Sequence, residues 1–187
     1  MTVVRLSMVL LLVATLGMGS YASYRHVTGN LHPVVPGEFY RSAQLSPSQL
    51  AAYARQFGIR TIVNLRGAHP GQAWYDQEVA TAAEVGVAHI DFKMSANREL
   101  PQARAERLLQ ILDGAQKPIL VHCQGGADRS GLAGALYLAA LAKQGEGAAE
   151  RQLSIWYGHI GVPYLSSTAA MDRTFEALES WLGFSGS

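Results

Sequence analysis

Cys123 and Arg129 are the residues of this chain best placed to do chemistry, within the run His122-Cys123-Gln124-Gly125-Gly126-Ala127-Asp128-Arg129-Ser130. Cys123 is the sole cysteine; it follows an apolar stretch, Pro118-Ile119-Leu120-Val121, and precedes a glycine-bearing turn that opens onto an Ala/Leu-rich segment. A strand feeding a tight loop into a helix N-terminus makes an anion cradle, because loop amides and the helix dipole point at one spot. A thiol is nucleophilic as its thiolate, which a helix N-terminus and a fixed cation both favour. Arg129 supplies that cation, and its planar fork grips two oxygens of a phosphate where lysine would offer a single point. Gly125 and Gly126 are expected to adopt positive φ and bring backbone amides close to the oxyanion, so that Gln124, Gly125, Gly126 and Ala127 line the bound group. Ser130 is placed to hydrogen-bond the sulfur, and His122 to orient the loop rather than act as a base. A buried structural cysteine would account for the thiol alone, not for the histidine, glycines, arginine and serine around it.

The run His122 to Ser130 resembles the HCxxGxxR[ST] loop of the cysteine-dependent protein tyrosine and dual-specificity phosphatases. Phe39-Tyr40-Arg41-Ser42-Ala43-Gln44 and Gly58-Ile59-Arg60-Thr61-Ile62-Val63-Asn64-Leu65-Arg66 are similar to segments of the compact bacterial and atypical dual-specificity branch. The resemblance extends from about Val34 to the end of the chain, with only the loop diagnostic. It implies two-step hydrolysis of a phosphate monoester with neither metal nor cofactor: attack by Cys123, then hydrolysis of a phospho-cysteine.

The family also needs a general acid to protonate the leaving oxygen. In most relatives an aspartate follows the preceding strand, but here Ser95-Ala96-Asn97-Arg98-Glu99-Leu100-Pro101 contains none. Three carboxylates stand as candidates. Asp128 lies inside the loop, an arrangement shared with myotubularin-like and some bacterial phosphatases, and is taken as the acid. Asp91 lies on the strand Val87 to Met94, sharing a face with His89 and Lys93 by alternation. Glu99 lies on the expected loop but is the wrong residue type. Two of them also have a purely structural role open to them, Asp128 as a helix N-terminal carboxylate stabilised by the dipole and Asp91 as a strand-end carboxylate paired with Lys93 or facing solvent.

Several elements must position these groups. Thr28 to Pro36 reads as a linker, followed by a short strand Glu38-Phe39-Tyr40. Ser46-Pro47 caps a helix that ends at Gly58; Ile59 to Leu65 is apolar and β-branched enough for a buried strand. A helix from Gln72 to Glu84, a strand from Val87 to Met94 and a helix from Pro101 to Leu112 precede the Cys123 strand. Ser130 to Lys143, Ala148 to Tyr157 and Thr168 to Leu182 complete the helices. The alternation predicts an α/β fold with a mainly parallel sheet covered on both faces, whose ligands bind beyond the carboxyl ends of the strands. Trp156-Tyr157-Gly158-His159 reads as core between helices, with pocket lining as the second reading. Arg41 and Arg66 either approach the phosphate or pair at the surface.

The 187 residues suit one domain of useful core size, preceded by an apolar segment. No charged residue occurs between Leu6 and Tyr24, long enough to span a bilayer, while Ser20-Tyr21-Ala22 resembles a signal-cleavage site. The expected organisation is residues 1–27 as membrane anchor or signal segment and 28–187 as catalytic domain. A single-pass anchored protein with an extracytoplasmic or periplasmic domain is the first expectation and a secreted or periplasmic one after cleavage the second; Arg5 and Arg25 flank the segment evenly and leave its orientation open. Net charge of +1 and the lack of a basic run give no sign of nucleic-acid binding, and no nucleic-acid partner is expected, while His26, His32 and His69 have no metal-ligand spacing. The expected partner is a phosphorylated protein, phosphotyrosine first, or a small phosphate ester; oligomeric state is not readable. Phosphoinositides or inositol phosphates are the alternative, disfavoured by a loop without lysine. A phosphate-reading module that has lost its acid is the alternative of another class.

Overall fold

A computed structural model describes residues 2–162 and 165–184. An N-terminal helix α1 (Thr2–Val27) leads into β1 (His32–Val35), β2 (Phe39–Ser42), α2 (Pro47–Phe57), β3 (Thr61–Asn64) and α3 (Ala73–Glu84). There follow β4 (Ala88–Asp91), α4 (Gln102–Gly114), β5 (Ile119–His122), α5 (Asp128–Ala140), α6 (Glu146–Glu150) and α7 (Ala170–Leu182), with single 3₁₀ turns at Ile155–Tyr157 and Ser167–Ala169. The strands form one sheet in the order β1-β2-β5-β3-β4, parallel throughout except for β1, which pairs antiparallel with β2. The fold is therefore mixed α/β, with a mostly parallel sheet between helices.

Alternation along the strands divides the core in two. Phe39, Val63, Ile119 and Val121 face a cluster with Leu108 and Leu112 of α4, Leu132 and Leu136 of α5 and Met171 and Phe175 of α7. Tyr40, Ile62 and Leu120 face the other way, against Leu50 and Ala54 of α2 and Ala82 of α3. The small residues of α5 let it lie buried along the first face, and that seats its N-terminus beneath the loop leaving β5. α2 starts and stops by local chemistry: Ser46 and Gln49 form a reciprocal capping box, Pro47 opens the first turn and Gly58 closes the last at φ 65°.

Two expectations fail. The linker Thr28 to Pro36 contains β1, an edge strand in which the missing N–H of Pro33 is tolerated and the register shifts between Pro33 and Val35. The helix expected from Ala148 to Tyr157 ends at Glu150 instead. Its continuation is broken because the Gln152 carbonyl turns to accept a 2.6 Å hydrogen bond from buried Arg41. The chain beyond runs outward, so Trp156 is 78% exposed rather than core.

Candidate active site

β5 delivers Cys123 to the floor of a loop that ends where α5 begins. The sulfur is buried and lies 3.6 Å from Ser130 Oγ. What shapes the loop is the fate of its carbonyls. Gln124 O accepts from Gln44 N at 3.2 Å, and Gly125 O from Arg25 Nη2 and Asn30 Nδ2, both at 3.1 Å. Gly126 O accepts from Asn30 Nδ2 and Arg41 Nη2, and Ala127 O from Arg41 Nη2 at 2.6 Å. In a trans peptide the next N–H points opposite to the carbonyl. The N–H groups of Gly125, Gly126, Ala127 and Asp128 therefore face away from these donors, alongside the positive end of the α5 dipole. Gly126 holds φ 67°, and a Cβ there would stand 2.5 Å from Ala43 N, so only glycine fits. Gly125 does not have the positive φ expected of it.

Arg41 is neither at the surface nor on the phosphate side. It is fully buried, sits 4.3 Å from the Tyr157 ring centroid, and ties the loop to Gln152. Burial lowers its pKa to about 10, against the opposing pull of Cys123, Tyr157 and Asp128. It stays cationic at neutral pH and adds a fixed charge under the loop. Arg129, on the first turn of α5, reaches Met94 O at 3.5 Å, and its buried Nε has no partner among the described residues. A buried donor without an acceptor is rare in a folded protein.

His122, expected to orient the loop, bonds to a residue that sequence reasoning missed. Its Nε2 lies 3.1 Å from Glu78 Oε1 of α3, which His89 Nε2 also approaches at 2.8 Å, while Gln44 Nε2 donates to Glu78 Oε2. Burial would raise the Glu78 pKa, but the hydrogen bonds from His122, His89 and Gln44 outweigh it and set the value at about 2. A carboxylate whose folded pKa is depressed contributes stability above its unfolded value and loses it as pH falls through the folded one. From 4.5 to about 2, that contribution amounts to about 3 kcal/mol. Glu78→Gln is accordingly expected to be less stable than wild type near neutral pH. In urea unfolding, the gap between the two should close by about 3 kcal/mol between roughly pH 5 and pH 2.

The three candidate acids are dispersed. Asp128 Oδ1 lies 2.8 Å from His159 Nδ1, and His159 Nε2 lies 2.8 Å from Asp172 Oδ2. Burial lowers the His159 pKa, yet the hydrogen bonds to Asp128 and Asp172 prevail and raise it overall. Asp91 ends β4, in register with Asn64 of β3, which in turn pairs with His122 of β5. Two strand spacings, about 10 Å, separate it from the Cys123 strand, and Asn64 Nδ2 and Tyr75 OH donate to its two oxygens. Glu99 accepts from Arg173 Nε at 2.6 Å.

Beside Arg129 opens a cavity of about 450 Å³ lined by Arg66, Lys93, Arg98, Glu99, Arg104 and the Met94-Ser95 backbone segment. Arg66 stacks 3.4 Å from the Trp74 ring centroid and donates to Gln44 Oε1. Its pKa is lowered by burial and by Arg129. Five cations thus face one carboxylate, itself paired with Arg173, so charge absent from the loop is supplied from neighbouring segments. Among the described residues one trio with ligand spacing, Glu146, Glu150 and Glu179, brings carboxylate oxygens within 4.8 Å, and none of it belongs to the loop.

A family model described as a tyrosine phosphatase family matches residues 19–149. A search of curated proteins returns no match. Among solved structures, TpbA of P. aeruginosa is 23% identical at a TM-score of 0.61, over 82% of this chain and 91% of that one. TpbA in complex with pTyr gives 22% and 0.57 over 78% and 90%. The core catalytic domain of the PP-IP phosphatase SIW14 from S. cerevisiae, in complex with citrate, gives 18% and 0.58 over 82% and 93%. At these identities the structural likeness speaks for the fold.

Proposed function

The chain belongs to the tyrosine phosphatase family, and we propose on that premise that it hydrolyses phosphate monoesters through a phospho-cysteine, without a metal. The observation that carries this reading is the placement of the Cys123 sulfur under a loop whose carbonyls from Gln124 to Ala127 are held by Gln44, Arg25, Asn30 and Arg41. In the first step the sulfur attacks phosphorus, the bond to the leaving oxygen breaks, and that oxygen takes a proton from Asp128. In the second, water attacks phosphorus, gives its proton to the Asp128 carboxylate, and the S–P bond breaks with Ser130 donating to the departing sulfur. Gln124, Gly125, Gly126 and Ala127 bind the phosphoryl oxygens through their backbone and Arg129 through its fork. A burst of aryl alcohol from an aryl phosphate, unchanged by a chelator, tests the scheme; a chelator-sensitive rate without a burst overturns it.

Asp128 as the acid predicts that Asp128→Asn lowers turnover by about 10²-fold or more for a poor leaving group, and far less for an activated aryl phosphate. Equal losses on both esters remove the role from Asp128. The same selective loss in Asp91→Asn or Glu99→Gln transfers it.

Phosphotyrosine and other phosphoproteins form the first substrate class, in keeping with TpbA bound to pTyr. The basic cavity beside Arg129 supports a second reading, a substrate with a further anionic group such as a phosphoinositide or inositol phosphate, in keeping with the PP-IP phosphatase. Relative kcat/KM over phosphopeptides, phosphoinositides and inositol phosphates separates them.

Residues 28–187 act as the catalytic domain, and α1 is read as a retained membrane anchor. Leu6–Val27 is long and apolar enough to cross a bilayer. The last turns of α1 are also built into the domain: Tyr21 OH donates to Ile155 O and Trp156 O, and Arg25 Nη2 to Gly125 O. Cleavage after Ala22 would remove Tyr21 from these contacts, which favours retention over a removed signal.

A further inference from the structure

We propose that Ile155 to Val162, together with Leu165, form a second membrane contact, resting on the lipid headgroup layer beside α1 and keeping the catalytic domain docked to the bilayer surface. The inference rests on the reading of α1 as an anchor. A hydrocarbon core takes up about 20 helical residues; counted from Leu6, it ends near Arg25. Tyr21 and Tyr24 then sit at the exit level, where tyrosine and tryptophan are enriched because one end of each ring is apolar and the other polar. Tyr21 OH donates to Ile155 O at 2.9 Å and to Trp156 O at 2.7 Å. A backbone bonded to a residue at that level lies at that level too.

The side chains there suit lipid. Ile155 is 68% and Trp156 78% exposed, and Ile160, Val162 and Leu165 of the same segment are also open to solvent. From Gln152 to Met171 there is no Asp, Glu, Lys or Arg. An uncharged stretch that turns Ile155, Trp156, Ile160, Val162 and Leu165 outward is unusual on a surface that faces only water, and Tyr21 joins it to α1. Insertion of such side chains to the boundary of headgroups and acyl chains removes them from water without any ion being desolvated. The same segment carries Tyr157, whose carbonyl accepts from Asn30 Nδ2 at 3.0 Å, and His159, which holds Asp128. Docking therefore fixes the phosphate loop close to the bilayer and presents it to esters held at that surface.

The test uses the full chain in phosphatidylcholine vesicles, with and without lipid brominated on its acyl chains. The difference between wild type and Trp156→Phe isolates the emission of Trp156, and an exposed site makes that variant safe for folding. The expected result is a blue-shifted Trp156 emission quenched by the brominated lipid and protected from aqueous iodide. Emission quenched by iodide but not by bromine, in chains that resist alkaline carbonate extraction, overturns the docking and leaves the anchor standing. Protection from both quenchers assigns the segment to a protein contact, such as a second copy of the chain, and also overturns it. Chains extracted by carbonate overturn the anchor, and the docking with it.

Discussion

Cys123→Ser is expected to lower turnover of an aryl phosphate by roughly 10⁴-fold or more, with the burst abolished. The size follows from the absence of any substitute in the loop. Cys123 is the only cysteine in the chain, and the hydroxyl in contact with it, Ser130 Oγ, stands 3.6 Å away. A serine hydroxyl needs a base to become a nucleophile, and the neighbouring imidazole of His122 is committed to Glu78 on the far side of the sheet. Folding should be almost untouched, since serine replaces a small side chain and the carbonyl contacts of the loop do not involve the thiol. Oxyanion affinity should persist. Rapid-quench kinetics and phosphate-dependent thermal shifts of the variant check both halves; wild-type turnover in Cys123→Ser would remove the sulfur from the reaction.

Arg129→Lys is expected to lower kcat/KM by about 10²–10³-fold, the scale of losing a donor aimed at developing charge. The exchange keeps a positive charge and loses the fork, so its effect measures geometry rather than net charge. Arg129 Nε is buried without a partner among the described residues, and the bond its Nη1 makes among them is a long one to Met94 O. Lysine cannot place donors at both positions. Because Arg41 is buried beneath the loop and stays cationic, the local potential remains positive in the variant. Inhibition constants for inorganic oxyanions should therefore weaken less than kcat/KM. If both change by the same factor, Arg129 acts on ground state and transition state alike.

Much of the frame could be read from residues that act locally. Ser46, Pro47 and Gly58 announce both ends of α2 because caps need only their own turn. The Cys123 loop was legible because its strand, turn and helix are consecutive. What escaped depends on partners far away along the chain. Glu78 reaches His122 across 44 positions, Arg41 reaches Gln152 across 111, and Arg25 reaches Gly125 across 100. No local pattern marks such a residue, since a helix-surface glutamate and a strand arginine look ordinary in sequence. The linker reading of Thr28 to Pro36 failed for a related cause: β1 is a strand only because β2 lies beside it. The absence of lysine from the loop said nothing about Arg66, Lys93, Arg98 and Arg104, which three other segments bring to its rim.

One consequence follows from the way Gln44, Arg25, Asn30 and Arg41 pin the loop carbonyls. A receptacle shaped entirely by the protein needs little rearrangement to receive its guest, and it judges a tetrahedral anion by size and charge rather than by what was attached to it. In the proposed reaction the released orthophosphate meets the same amides as the ester it came from. Self-limitation by the end product is thus inherent in the architecture, and progress curves should bend early as phosphate accumulates.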